Sequence, residues 1–171
     1  MGSRPAGAGD GQLLWSVYRS SRLDEVSAWG WGDAQIDAFL QMQWQTEQRA
    51  RAMQHPHADS RVIVVDGKDV GRLLVDRAGD CILVVDIALL SEARGRGIGR
   101  AVLGDLLIEA QGRGVPVVLC VRRGNRAERL YRSLGFLITS EDELHLHMAF
   151  KPLVGAAAGV LSRSEAWQTR S

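Results

Sequence analysis

The stretch RVIVVDGKDVGRLLVDRAGDCILVVDIALL, residues 61 to 90, does most to limit the folds open to this chain. It holds three apolar, β-branched runs divided by Asp66-Gly67 and by Ala78-Gly79-Asp80. Short glycine-bearing breaks between runs of strand length spell tight turns, so the segment predicts an antiparallel meander. The third run, Cys81 to Leu90, leads directly into EARGRGIGRAVLGDLL, where four glycines and three arginines precede or enter an apolar stretch.

Around this block the pattern alternates between periods. The first eleven residues contain no apolar run and are expected to form a disordered lead rather than a signal peptide. Leu13 to Ser20 mixes apolar and β-prone residues and reads as a first strand. Gly30 and Gly32 then break a helix-rich stretch, and Asp33 is placed to cap a helix with Ile36, Phe39, Leu40, Gln43 and Trp44 on one stripe. That helix ends before Pro56. Beyond the glycine run the sequence predicts a helix from about Arg100 to Gln111, closed by the glycines of 112–114. A strand at VPVVLCV, a short helix at NRAERLYRSLGF and a last strand from Leu144 to Phe150 follow. From Pro152 onward no pattern emerges, and residues 153–171 are expected to be a docked or flexible tail. The whole reads as one α/β domain over 12–152 with a mixed sheet.

Composition narrows the function classes. The chain has 171 residues, 46% hydrophobic and 24% charged, with a formal net charge of +1. So even a balance gives no global field for nucleic acid or a membrane surface, and its arginines must act locally. Cys81 and Cys120, the two cysteines, both lie in strand-like runs, which fits reduced thiols and a cytoplasmic setting. His145 with His147, or His55 with His57, lacks a third ligand for a metal.

A strand that ends in a glycine-rich turn and opens a helix presents unpaired backbone N–H groups to an anion. Gly95, Gly97 and Gly99 let that backbone approach a ligand, and Arg94, Arg96 and Arg100 offer charge-assisted contacts. Alone, the run is explained equally well by a tight turn with solvated arginines. Two other phosphate loops fail on detail. A P-loop needs Lys-Ser/Thr where Arg100-Ala101 stands. A dinucleotide fold needs its glycines after the first strand of a parallel unit.

The second motif changes the balance. Arg94-x-x-Gly97-x-Gly99, followed by Asn125 and by Ala127-Glu128-Arg129-Leu130-Tyr131-Arg132-Ser133-Leu134-Gly135-Phe136, resembles the GNAT superfamily of acyl-CoA-dependent N-acyltransferases. The likeness covers about Arg61 to Phe150. It departs from the family pattern at Ser91, where Pro is common, and at Asn125, one residue closer to Tyr131 than usual.

The resemblance implies a GNAT-like mixed, mostly antiparallel sheet of six to seven strands flanked by helices, with a splayed central parallel pair formed by Cys81–Leu89 and Pro116–Val121. It implies acetyl-CoA as acyl donor, its pyrophosphate on the amides of Gly95, Arg96, Gly97, Ile98, Gly99 and Arg100, with Arg94 and Asn125 beside it. The backbone of Ile87, Ala88 and Leu89 would take the pantetheine arm as an added strand. An amide near Leu89 would polarise the thioester carbonyl. Tyr131 would protonate the departing thiolate, and Asp86, an acid inside an apolar strand, is a candidate base. A structural role for Asp86, paired with an arginine such as Arg72, stands beside that reading. His145 and His147 form a second base candidate. Trp29, Trp31, Trp44 and Glu47 would shape the pocket of a cationic amine, or simply pack.

The function so implied is N-acetylation of a primary amine, expected on a small molecule, by a monomer or homodimer without a metal. The alternatives are a protein or peptide acceptor, and a catalytically silent acyl-CoA sensor or interaction module. Nucleotide or RNA binding by the arginine cluster lacks the aromatic platforms it would need.

Overall fold

The computed structural model describes residues 1–153, so the expectation for the tail lies outside the described residues. The meander forms as β2 (Asp59–Val65), β3 (Lys68–Asp76) and β4 (Ile82–Leu89), each antiparallel to the next. Asp66 and Gly67 both take positive φ, 50° and 74°, as a two-residue hairpin turn demands. Before the meander come β1 (Gly2–Pro5), α1 (Gly11–Val26) and α2 (Asp33–Gln54). After it come α3 (Ile98–Arg113), β5 (Val117–Arg122), α4 (Ala127–Ser133), β6 (Leu137–Glu141) and β7 (His145–Phe150). Among the described residues seven strands make one sheet in the order β1-β2-β3-β4-β5-β7-β6, and its one parallel contact is β4 with β5.

Two expectations for the N-terminal region fail. Leu13 to Ser20 is not a strand but part of α1. Leu14, Val17 and Tyr18 stand at helical spacing, and Val17 and Tyr18 are buried, so the 3.6-residue period outweighs the β-propensity of single residues. The lead expected to be disordered instead supplies β1, an edge strand on β2 with Gly2 opposite Val64 and Pro5 opposite Arg61. Charge holds it there. Arg4 donates to both Asp10 carboxylate oxygens at 2.7 and 2.9 Å and to Asp69 at 2.7 Å.

The helices cover the two faces of the sheet. Side chains alternate along a strand. Leu73 and Val75 of β3 therefore pack with Val102, Leu103 and Leu106 of α3 and with Tyr131 and Phe136. Arg72, one residue before Leu73, points the other way and meets the Tyr18 ring of α1 at 6.0 Å. Tyr18, Val26, Ile36 and Leu40 form a separate buried cluster that ties α1 to α2 on that second face. Among the described residues no helix is long and apolar enough to cross a membrane.

Candidate active site at the parting of β4 and β5

β4 and β5 pair over only three residues each, Ile82–Val84 with Val117–Leu119, although β4 continues to Leu89 and β5 to Arg122. Beyond Val84 they part. A bulge begins the divergence: Leu74 faces Asp86 while Val75 faces Val84, which leaves Val85 as the extra residue of β4. The bulge also resets which backbone groups face β5. Leu90 donates its N–H to Val70 of β3, so by antiparallel alternation Ile87 and Leu89 turn theirs away from β3, toward the gap.

The gap opens into a cavity of about 510 Å³. From the α3/α4 face Tyr131 enters it. Asn125 leads into this helix: its Oδ1 accepts the Ala127 N–H at 2.9 Å, closing a local turn at the start of α4, four residues before Tyr131. The Tyr131 ring is 7% exposed and meets Phe136 edge-on at 5.8 Å. Burial, and after it the Asp86 carboxylate, push the Tyr131 hydroxyl up to about 12.

From the opposite face the cavity is lined by charge. Arg122 Nη1 lies 3.4 Å from Glu25, and Glu25 lies 3.6 Å from Arg22. Arg22 reaches Glu47 at 3.3 Å, and Arg51 reaches the same carboxylate at 3.0 Å. Arg51 Nη1 also stands 3.8 Å from Asp86, which pairs directly with Arg72. The result is an unbroken alternation of four guanidinium groups and three carboxylates drawn from β5, α1, α2, β4 and β3. Tyr18 donates its hydroxyl to Glu47 at 2.9 Å. Arg72 is 6% exposed, and burial lowers its pKa against the raising effect of Asp86.

The glycine run sits past the end of β4. Gly95 and Gly97 have φ of 72° and 79°, and a Cβ at either would meet nothing within 4 Å. Gly97 is the N-cap of α3 and its carbonyl accepts from Ala101, so the amides of Ile98, Gly99 and Arg100 have no partner inside the helix. Among the described residues no side chain caps them. A Cβ on Gly99 would lie 3.3 Å from Leu130, so here glycine also lets α3 and α4 pack closely. An open, uncapped helix N-terminus beside a pair of parted strands fits a diphosphate followed by an extended arm.

Not every anticipated residue lies where expected. Tyr131, Asp86, Ile87, Ala88 and Asn125 line the one cavity; Leu89 and residues 94–100 lie outside its lining. Arg94 turns back, donating to the Leu89 carbonyl and to Ser20 Oγ, each at 3.0 Å. It splints the end of β4 to α1. Arg100 donates to Ser133 at 2.6 Å, and Arg96 is exposed. Trp29, Trp31 and Trp44 are absent from the lining: the first two form an edge-to-face trio with Phe39, and Trp44 packs on Trp15. Glu47 is occupied by Tyr18, Arg22 and Arg51, which leaves it poorly placed to receive a cation. His145 lines the cavity beside Asp142 at 3.4 Å. The residues unforeseen from sequence are Arg22, Glu25, Arg51 and Arg122. Arginines on helix faces look solvated in a sequence, and only the packing of α1 and α2 over the sheet brings these together.

Residues 58–137 match the acetyltransferase (GNAT) domain. The domain belongs to the GNAT superfamily. Solved structures agree in fold. PaiA N-acetyltransferase from Thermoplasma acidophilum, in complex with coenzyme A, superposes with a TM-score of 0.66 at 18% identity, over 87% of this chain and 97% of that one. Ard1 from Thermoplasma volcanium gives 0.61 at 18% identity, over 89% and 97%. The ribosomal-protein-S18-alanine N-acetyltransferase from Escherichia coli gives 0.57 at 20% identity, over 92% and 98%. No curated sequence relative matches the chain. For the GNAT domain, the parted strands, the bulge at Val85 and the uncapped start of α3 are the features that suit an acyl-CoA.

Proposed function

We propose that this protein transfers an acetyl group from acetyl-CoA directly to the primary amine of a small molecule. The observation that carries the reading is the meeting of two approaches in one cavity: Tyr131 from one face, the charged wall from the other, with the unpaired edge of β4 between them. Acetyl-CoA supplies an acetyl group activated on sulfur; a C–N bond forms as the C–S bond breaks. The amides of Ile98, Gly99 and Arg100 would hold the diphosphate, and Ile87 and Leu89 the arm.

Tyr131 would give its proton to the departing sulfur and regain one from the nitrogen, so a neutral amine enters and no net proton is left over. With its hydroxyl at about 12, Tyr131 stays protonated at neutral pH. Asp86 acts less as a base than as the anchor of Arg72 and Arg51, because its carboxylate is already paired with both guanidinium groups. An acyl-cysteine route through Cys120, which also lines the cavity, is disfavoured: burial and then Asp142 raise its thiol, suppressing the thiolate.

The test is incubation with acetyl-CoA and a panel of amines, following CoA thiol release together with the mass of the acceptor. Acetylated amine in step with thiol release supports the proposal. Tight acetyl-CoA binding with no transfer to any amine or peptide supports the sensor instead.

A further inference from the structure

The wall facing Tyr131 is not neutral. Its alternating row begins and ends on arginine, with Arg122 on β5 and Arg72 on β3, so four positive groups face three negative ones. Of the other charged residues on the lining, only His145 adds a titratable group, and Asp142 faces it. Donors outnumber acceptors among the atoms left over in the row. Arg72 Nε, Arg51 Nη1 and Asp86 Oδ2 are buried without a hydrogen-bond partner among the described residues. Asp86 Oδ2 lies 3.8 Å from Arg51 Nη1, so Arg72 Nε stays without an acceptor whichever way those two pair. Both arginines line the cavity, and Arg72 is among the most buried polar side chains of the fold. A buried guanidinium donor without an acceptor is unfavourable, the more so because the group is charged. A fold that keeps such a donor on a cavity wall has a use for an acceptor there.

We infer that the acceptor amine carries a carboxylate, which this wall reads through Arg72 and Arg51. The inference rests on the acetyl-transfer reading for the identity of the amine, but the anion pocket itself does not. A carboxylate matches the planar donor fork of arginine and neutralises the surplus charge of the row. A diamine or polyamine would bring a second ammonium against a net positive wall, and Glu47 and Asp86, the carboxylates nearest Arg51, are already engaged. The size of the cavity, about 510 Å³ and shared with the acyl end of the donor, selects a small amino acid over a folded protein surface.

The experiment compares three probes of similar length on the full chain saturated with CoA: β-alanine, β-alaninamide and 1,3-diaminopropane, with glycine and 4-aminobutyrate and their amides as length controls. Calorimetry reads binding and mass spectrometry reads acetylation with acetyl-CoA. The acids bind at least tenfold more tightly than their amides. Arg51→Met brings that ratio toward one, with CoA affinity as the check that it has folded. Glu25→Gln, whose side chain is 48% exposed and which removes one carboxylate from the row, raises the ratio. Amides or the diamine binding as well as the acids, or a Glu25→Gln ratio that falls, overturns the inference. The two readings separate cleanly. Acids that bind without being acetylated leave the anion pocket standing and remove the transferase. Acids and amides acetylated alike leave the transferase and remove the carboxylate.

Discussion

Tyr131→Phe removes one oxygen and keeps a ring. That ring is 7% exposed and packed edge-on against Phe136 at 5.8 Å, so fold stability at neutral pH is expected to change by less than about 1 kcal/mol. On the proposed mechanism the proton donor is lost entirely. General acid catalysis contributes about 10²–10⁴-fold, or about 3–5 kcal/mol of barrier. Steady-state thiol release gives kcat, and calorimetry with acetyl-CoA gives Kd. The variant should lose about two to four decades in kcat while Kd moves less than about threefold. The pH axis adds a second readout. Because burial and Asp86 hold the wild-type hydroxyl near 12, the rate should climb through the amine pKa, about 10, with no fall from Tyr131 ionisation until well above it. Stability follows the same sign. In the unfolded chain Tyr131 ionises near 10 while in the fold it stays neutral to about 12, so its contribution is complete below pH 10 and is lost as pH rises toward 12. Tyr131→Phe should flatten that alkaline slope. A variant with wild-type kcat, or one that loses binding and turnover equally, refutes the acid role.

Substitutions at three further positions probe the frame around the cleft. Gly97→Glu has space for its side chain but must adopt φ 79° and places a negative charge at the start of α3; acetyl-CoA affinity should fall at least about 100-fold, whereas Gly97→Asn, which tolerates that backbone, loses far less, and unchanged affinity in the glutamate variant contradicts the diphosphate site. Gly71→Ala would place a Cβ 2.5 Å from the Ala88 carbonyl and 2.6 Å from Leu89 Cδ2, so β4 must give way by about half an ångström or more, costing about 1–3 kcal/mol; melting temperature and acetyl-CoA affinity should fall together, and an affinity that holds while stability drops would detach Ala88 and Leu89 from the donor site. Arg94→Gln loses the bonds to Leu89 and Ser20, so thermal melting should shift down by several degrees with a smaller loss of CoA affinity than Gly97→Glu; the reverse order would make Arg94 a direct phosphate ligand.

What the sequence makes legible is what depends on local patterning. The meander, the turn at Asp66-Gly67, α3 between its glycines and the helix carrying Tyr131 all follow from period, turn chemistry and two spaced motifs. The misreadings at the N-terminus have a common physical source. Trp15, Val17 and Tyr18 are β-prone as individuals, but the helix they form exists because Tyr18 and Trp15 pack with Ile36 and Leu40 of α2, and Tyr18 also meets Arg72 of β3. Gly2–Pro5 has no propensity to be ordered, and becomes a strand because β2 offers an unpaired edge and Asp10 and Asp69 hold Arg4. In the site, the same division holds. Tyr131 and the glycines are proposed from motifs that each lie within one segment and resemble those of the GNAT superfamily. The row from Arg122 to Arg72 joins residues as far apart in sequence as Arg22 and Arg122, and no pattern within one segment announces it.

Calorimetric titration of the purified protein with acetyl-CoA, CoA and ATP tests the central claim most directly, because every later step requires the donor to be held between β4 and β5 and at the start of α3. The account predicts micromolar binding of acetyl-CoA and CoA, and none of ATP at the same concentration. Absence of binding by both thioester and free CoA, or ATP binding as tightly as they do, would contradict it.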